Sequence, residues 1–470
     1  MRVLLVQPED IAQNYIPKRP TLGIGYLAAV LEKDHEVRIF DARLRKERFE
    51  NILKEFKPQL VGYTLTSLVL KQAKELMQKA KTMLPGVTNV IGGPEVTLLV
   101  EKMLSPEYVD FAVAGEGEHS FRELVSRLEK GKDYEDIKGL AYKRDGKIIS
   151  NPHEYIQVLD KLPFPAWHLF SLKNYRKDPS KIKFAIMTSR GCPYHCSFCD
   201  STKINGNYRV RSASNVVDEL EFMHKRYGAR SFQFMDDNFA IHRDRVAEIC
   251  DEIIRRGLNI TWVVGQGFLP SRGDYEIFKK MKDSGCIVVY FGIESADDEV
   301  LRNIRKPFTV EQARKAIKAA KKAGLIVKAP FISGLPGATY EKERKYIDFF
   351  RETGIDMPKM GQLIPFPGTD MYDWVKENAK LLVPIESIHT DFSQTKGALG
   401  TDLIRPAFET EDFPLKDRIK VYKEFTEESK KYILQKNFGR PLGYLLYMGS
   451  RIRLMRYLGV KMLDIYYEQF

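Results

Sequence analysis

The chain has 470 residues, 43% of them hydrophobic and 11% aromatic, and a formal net charge of +12. This excludes a disordered chain and exceeds one ordinary domain, so two or three domains with sizeable cores are expected. No run of roughly 18 apolar residues occurs, which excludes a bilayer-spanning helix. Five cysteines, three of them clustered, do not make a disulfide framework and fit a reducing, cytoplasmic setting.

The opening "MRVLLVQPED" reads as a first buried strand and not as a signal peptide, because its apolar run ends at an acidic turn. Up to about residue 125, "RVLLVQP", "EVRIFDA", "QLVGYTLTS", "TNVIGGPE" and "VDFAVAGEGE" read as strands. Amphipathic segments such as "LGIGYLAAVLEKD" and "HSFRELVSRLEKG" alternate with them. That rhythm predicts an α/β, doubly wound, Rossmann-like domain over 1–140. Ligands of such sheets sit at the strands' carboxyl ends, where Thr64, Leu65, Ser67, Gly92, Gly93, Glu95, Gly115, Glu116 and Gly117 fall. No G-x-G-x-x-G fingerprint is present.

Residues 141–180 predict a hairpin turning at Asp145-Gly146, then a stiff, packed connector in "LDKLPFPAWHLFSL". Over 181–370, six strand-helix units follow. Their strands are "FAIMTS", "SFQFMDDNF", "NITWVVGQGF", "CIVVYFGIES", "LIVKAPFISGLPG" and "MGQLIPFPGT". Six units predict a partial (β/α)6 barrel whose chemistry lies at the strands' carboxyl ends. Residues 371–470 read as a mostly helical region. Between 431 and 460 it carries six bases and no acid.

The first barrel strand leads into "TSRGCPYHCSFCD", in which Cys192, Cys196 and Cys199 are spaced C-x3-C-x2-C. A structural zinc ion needs four closed ligands, so three cysteines would require His195 or a distant partner. Cys250 on a helix and Cys286 in an apolar strand read as core residues. An iron–sulfur cluster left open at one iron is the better account, since four-iron clusters take four thiolates when closed.

These residues resemble the radical S-adenosylmethionine superfamily, with Phe198 as the aromatic before the last cysteine. The resemblance implies a [4Fe-4S] cluster on Cys192, Cys196 and Cys199, whose open iron chelates S-adenosylmethionine and cleaves it to a 5′-deoxyadenosyl radical. It also implies S-adenosylmethionine contacts at Asp236 and Asp237 in "FMDDNF", at Glu294 and Ser295 in "GIES", and at Gly334 and Pro336 in "GLPGAT". Ala338 stands where the family usually has an acid.

With "TLGIGYLAAVLE", "GGPE", "GEGE" and "LPFPAW", residues 1 to about 370 resemble the subgroup that places a cobalamin-binding domain before the barrel. The resemblance implies cobalamin at the strand ends named above. The D-x-H-x-x-G segment that supplies a cobalt ligand elsewhere is absent, so no histidine of this chain is expected on the cofactor's lower face. Glu95 stands where relatives often carry histidine, and a domain kept only for packing is the alternative.

Methylation of an unactivated carbon and a non-methylating radical cyclisation, ring contraction or oxidation are both implied. A weak likeness to relatives acting on hopanoids and tetrapyrroles points to a small-molecule or lipid substrate, isoprenoid in kind. An electron donor such as a flavodoxin or ferredoxin is implied as well. Arg451, Arg453 and Arg456 lie among apolar residues, as in an interfacial helix on an anionic membrane surface. A helix packed on the barrel is the plainer account. RNA-modifying relatives usually carry a further three-cysteine cluster, and this chain has no cysteine before Cys192, so no nucleic acid partner is expected. A non-enzymatic cobalamin sensor or scaffold would not need the three thiolates.

Overall fold

The computed structural model describes residues 1–9, 19–385 and 406–449. Five parallel strands open the chain: β1 (Arg2–Gln7), β2 (Glu36–Asp41), β3 (Leu60–Thr64), β4 (Thr88–Gly92) and β5 (Phe111–Val113). They lie in the order β2-β1-β3-β4-β5, so the winding reverses between β1 and β3 and opens a crevice at their carboxyl ends. β1 is buried from Val3 onward because helices cover both of its faces, which is why it reads as a continuous apolar run.

The hairpin differs from expectation. β6 (Leu140–Arg144) and β7 (Lys147–Ser150) add antiparallel to β5, so the first sheet continues to Ser150 instead of ending near 140. The turn itself is as read, with φ of +48° at Asp145 and +74° at Gly146.

Two cores flank this sheet. One is confined to the first domain, around Leu4, Val61, Tyr63 and Ile91. The other runs from Val3, Leu5 and Phe121 through Trp167 into the barrel, so the two domains share apolar packing. The proline-rich connector makes that joint: Trp167 is fully buried, with ring centroids 5.5 Å from Phe184 and 5.8 Å from Phe170. Gly25 permits it, because a Cβ there would lie 2.8 Å from Cβ of Pro165.

The barrel sheet comprises β8 (Lys183–Ile186), β11 (Ser231–Phe234), β12 (Thr261–Val264), β13 (Cys286–Tyr290), β14 (Ile326–Ser333) and β15 (Met357–Gln362). All six are parallel and ordered as in the chain, with β8 and β15 as open edges. Between β8 and β11, the antiparallel ribbon of β9 (Ser189–Arg190) and β10 (Arg209–Val210) brackets the cysteine loop.

The helix Leu415–Phe438 closes the barrel's side, with Phe425 packed 5.8 Å from Phe331 and 5.5 Å from Phe350. From it the buried Arg418 donates to the Ser333 carbonyl at 3.2 Å and to Gln362 Oε1 at 2.8 Å. Beside it Glu343 is fully buried and accepts the Gly334 N–H at 2.7 Å. Burial pushes its carboxyl up to about 7, tempered by that hydrogen bond and by Arg418.

A native carboxyl that holds its proton where the unfolded chain has lost it stabilises the fold below the unfolded value, 4.5, and ceases to do so as pH rises through about 7. Wild type should therefore lose about 3 kcal/mol of stability between pH 5 and 8 through this group. Glu343→Gln should flatten that slope, as read by thermal melts across the range. Parallel slopes in the two proteins would refute the assignment.

Candidate functional site

The cysteine loop leaves the ribbon at Gly191, whose φ of +78° and tight packing admit no side chain: a Cβ would lie 2.5 Å from the carbonyl oxygens of Gly206 and Asn207. Backbone bonds then fix the loop independently of its thiols. Cys199 N–H donates to the Cys196 carbonyl at 3.0 Å, Ser197 N–H to Ile304 at 3.2 Å, and Met371 N–H to Ser197 at 2.9 Å.

Cys192 and Cys196 are half-buried and Cys199 opens into the cleft, all three as free thiols. The low-dielectric surroundings push each above the usual thiol range, Cys199 up to about 12, and neighbouring thiols and acids add to the effect. Three such groups become thiolates together only beside strong positive charge, which a metal centre provides. Among the described residues, no three His, Cys, Asp or Glu side chains gather closely enough to chelate a single ion. Three thiols leave a four-ligand centre one ligand short, so the donor set fits a cluster with an open iron better than a closed zinc site.

Against the loop lies Lys306, which the sequence did not single out. It is almost fully buried, with Nζ 3.2 Å from Glu294 Oε1 and 3.1 Å from the Gly292 carbonyl. It stands 5.3 Å over the Phe198 ring; burial opposes its charge, but Glu294, Cys196 and Cys199 together outweigh burial and raise its pKa. Within the run "RNIRKPFT" it looks like any loop cation, and only the fold brings it to the thiols.

Glu294 holds a left-handed backbone, φ +63°, locked by Glu294 N–H to the Pro330 carbonyl (3.0 Å) and Ile332 N–H to the Glu294 carbonyl (2.9 Å). Strain of this kind in a non-glycine residue persists only where neighbours enforce it, and it gathers at functional sites. Asp237 accepts from Ser201 Oγ at 2.6 Å and Asn205 Nδ2 at 2.9 Å, within electrostatic reach of Cys192 and Cys199.

Thus Phe198, Asp237 and Glu294 gather round the loop. Asp236 does not: it is buried as a brace, accepting from Thr188 N–H at 3.1 Å and Thr188 Oγ1 at 2.7 Å. Ser295 is also turned inward, accepting from Tyr346 Oη at 3.3 Å. Gly334 rests on Glu343 and Arg418, and the Pro336 carbonyl accepts from Asn303 Nδ2 at 3.1 Å.

At the crevice of the first sheet is a cavity of about 290 Å³, walled by Gly23, Tyr26, Thr64, Gly92, Gly93, Gly115, Glu116 and Gly117 among others. The barrel supplies the opposite wall with Met187, Arg190, Ile204 and Asn205, all from the segment that carries the cysteines. Glycine-lined strand ends let a broad ligand approach backbone closely, so the cavity fits part of a large planar cofactor. Leu65 is core, supporting Gly93 from behind. Ser67 and Glu95 line a separate cavity of about 80 Å³ with Asp200 and Pro367. No histidine lines either cavity among the described residues.

Glu116 lines the larger cavity, and its carboxylate is also engaged by the barrel. It accepts from Arg209 Nη1 at 2.9 Å and Ile156 N–H at 2.6 Å and forms an ion pair with Arg190 Nη1 at 3.0 Å, while Glu118 accepts from Arg190 Nη2 at 2.5 Å. All four side chains are buried. The acids of "GEGE" thus clasp the ribbon that frames the cysteine loop. Removing one partner from such a network strands a buried charge and is strongly destabilising.

Residues 186–350 match the radical SAM superfamily and residues 11–125 match the B12 binding domain. An uncharacterized methyltransferase of Pyrococcus horikoshii is 36% identical over 392 residues, 81% of this chain and 84% of that protein. The anaerobic magnesium-protoporphyrin IX monomethyl ester cyclase of Rubrivivax gelatinosus is 31% identical over 79% of this chain and 69% of its own length. Among solved structures, the radical S-adenosylmethionine methyltransferase TsrM from Kitasatospora setae, with cobalamin and a [4Fe-4S] cluster bound, superposes with a TM-score of 0.69. It is 21% identical and covers 80% of this chain and 74% of that one.

Proposed function

The chain belongs to the cobalamin-binding radical S-adenosylmethionine family, and from that premise we propose that it methylates an unactivated carbon of a hydrophobic, isoprenoid- or lipid-like small molecule. The observation that supports this reading is the shared wall: Ile204 and Asn205, just beyond Cys199, line the cavity formed by the glycines of the first sheet. A cluster at the thiols and a corrin at the strand ends would face one reaction space. When bound, the cluster supplies the electron that cleaves S-adenosylmethionine and the cobalamin supplies the methyl group.

The chain's own residues supply position and exclusion of water. Cys192, Cys196 and Cys199 would hold the cluster. Lys306 sets a fixed positive charge beside them, and Glu294, restrained by its ion pair and backbone, would contact S-adenosylmethionine at the end of its strand. The Glu116–Arg190–Arg209 clasp keeps the two cofactor regions in register. The connector and the shared core close the joint against water, which a primary carbon radical requires. A reductant must supply the electron.

A ring-forming reaction without methyl transfer is the second reading, favoured by the 31% identity to a cyclase. The first test is anaerobic reconstitution followed by ultraviolet–visible spectra with and without hydroxocobalamin. Retained corrin absorption beside the iron–sulfur shoulder is expected, and a cluster without corrin would overturn the methylcobalamin reading.

The last described helix, Arg440–Gly449, supports contact with an anionic membrane surface. Leu442, Leu445 and Met448, three residues apart, are 51%, 66% and 44% exposed on one helical face, within the segment of six bases and no acid. Arg451, Arg453 and Arg456 lie outside the described residues. No helix of the described residues is long and apolar enough to cross a membrane. Co-sedimentation with phosphatidylserine vesicles should exceed that with phosphatidylcholine by about tenfold at low salt and fall with Leu445→Glu. Equal recovery with both lipids would refute the surface.

A further inference from the structure

Lys306 and Glu294 form a nearly buried ion pair beside the cysteine loop, with Nζ 3.2 Å from Oε1. The ammonium also donates to the Gly292 carbonyl at 3.1 Å, which fixes its place. A buried pair adds little stability over apolar residues of the same size, so stability is a poor reason for setting one here.

The pair is polarised, with its cation on the segment that touches the loop. Ser197 N–H donates to the Ile304 carbonyl at 3.2 Å, and Cys196 Sγ lies 3.8 Å from the Arg305 carbonyl, so the two residues before Lys306 are docked on the cysteines' own chain. The ammonium itself stands 5.3 Å over the ring of Phe198, which lies between Cys196 and Cys199 in sequence. Glu294 is anchored to the barrel sheet instead, by its backbone bonds to Pro330 and Ile332. Burial is the main force against ionisation at Cys196. After burial, the ammonium favours the thiolate there more strongly than the Glu294 carboxylate opposes it.

Three thiolates outweigh the charge of a four-iron core, so the bound cluster is anionic and becomes more so when it gains an electron. A fixed cation close by, in surroundings of low dielectric, acts on that added charge directly. We propose that the Lys306–Glu294 pair sets the reduction potential of the cluster that Cys192, Cys196 and Cys199 would hold, the ammonium favouring the reduced state and the carboxylate limiting that effect. The single electron comes from the external reductant; the pair exchanges no proton, and no bond forms or breaks. Both residues act through their field and neither is a ligand. The proposal rests on the cluster reading above and deepens it.

The test is a redox titration of the anaerobically reconstituted full chain, followed by electron paramagnetic resonance, with iron and sulfide measured on each protein. S-adenosylmethionine is left out, so that no contact of Glu294 with it enters. Lys306→Met should disfavour reduction at least about tenfold, a fall of about 59 mV in midpoint potential for one electron. Glu294→Gln should shift the potential upward, and Lys306→Arg, which keeps the charge, should stay within about twofold of wild type. Lys306→Met strands the Glu294 carboxylate, and if that prevents folding the test stands on Glu294→Gln and on the double variant. Lys306→Met combined with Glu294→Gln leaves no stranded charge and should still lie below wild type, by about threefold in the reduction equilibrium. A Glu294→Gln potential at or below wild type, or a double variant at or above it, would overturn the inference. Full iron in every protein with one common potential would sink this inference alone and leave the cluster standing, whereas a wild type that takes up no iron would overturn the cluster reading itself.

Discussion

Alanine at any one of Cys192, Cys196 or Cys199 should reduce cleavage of S-adenosylmethionine to 5′-deoxyadenosine to background, a loss of at least about a thousandfold, or about 4 kcal/mol in barrier. The loop should survive the change, because its shape depends on Gly191 and on backbone bonds to Ile304 and Met371, not on sulfur. What is lost is one of only three thiols in the loop. Cys250→Ala and Cys286→Ala are the informative controls. Both residues are fully buried in the barrel's packing, so they should lower the melting temperature and leave iron and sulfide content intact. Iron, sulfide and 5′-deoxyadenosine measured on all five variants give the answer. Full iron content in Cys196→Ala would refute the three-thiolate cluster, and equal loss in Cys250→Ala would mean a folding effect.

The strands were legible because parallel strands buried on both faces leave apolar runs that only a strand or a buried helix can explain, and turn residues at their ends settle which. The cysteine loop was legible for a different reason: thiolates at fixed spacing have few other uses. What stayed hidden depends on pairs far apart in the chain. Glu116 and Arg190 are separated by a hairpin and the whole connector, so "GEGE" showed its glycines and concealed its ion pairs. Lys306 needs the turn at Arg305, φ +57°, to point it at the thiols. Asp236 and Asp237 are adjacent, and the pattern could not say which of them the strand end would bury; the fold uses the first as a brace and leaves the second near the loop. The amphipathic helix Phe49–Phe56 went unmarked because two turns of apolar spacing resemble a loop as readily as a helix.

The cavity assignment can be tested at a residue where steric consequences are confined to the cavity. Gly23 lines it and occupies the second position of the helix Leu22–Leu31, where a Cβ would meet nothing within 4 Å. Gly23→Phe should therefore fold at least as well as wild type, since glycine is the weaker helix former by a few tenths of a kcal/mol. Because Gly23 lines the cavity, the introduced ring can enter the volume that the cofactor is expected to take. Hydroxocobalamin affinity should fall about a hundredfold, or about 2.7 kcal/mol, with cluster content and the melting temperature of the cofactor-free protein unchanged. Gly23→Ala should retain corrin, which separates volume from loss of glycine. Gly93 would be the poorer choice: its φ of +105° and a Cβ only 2.8 Å from the Leu65 carbonyl make any side chain there a backbone lesion. Undiminished corrin binding by Gly23→Phe would place the cofactor elsewhere, and the cavity's glycines would then be explained by the turns they form rather than by a ligand.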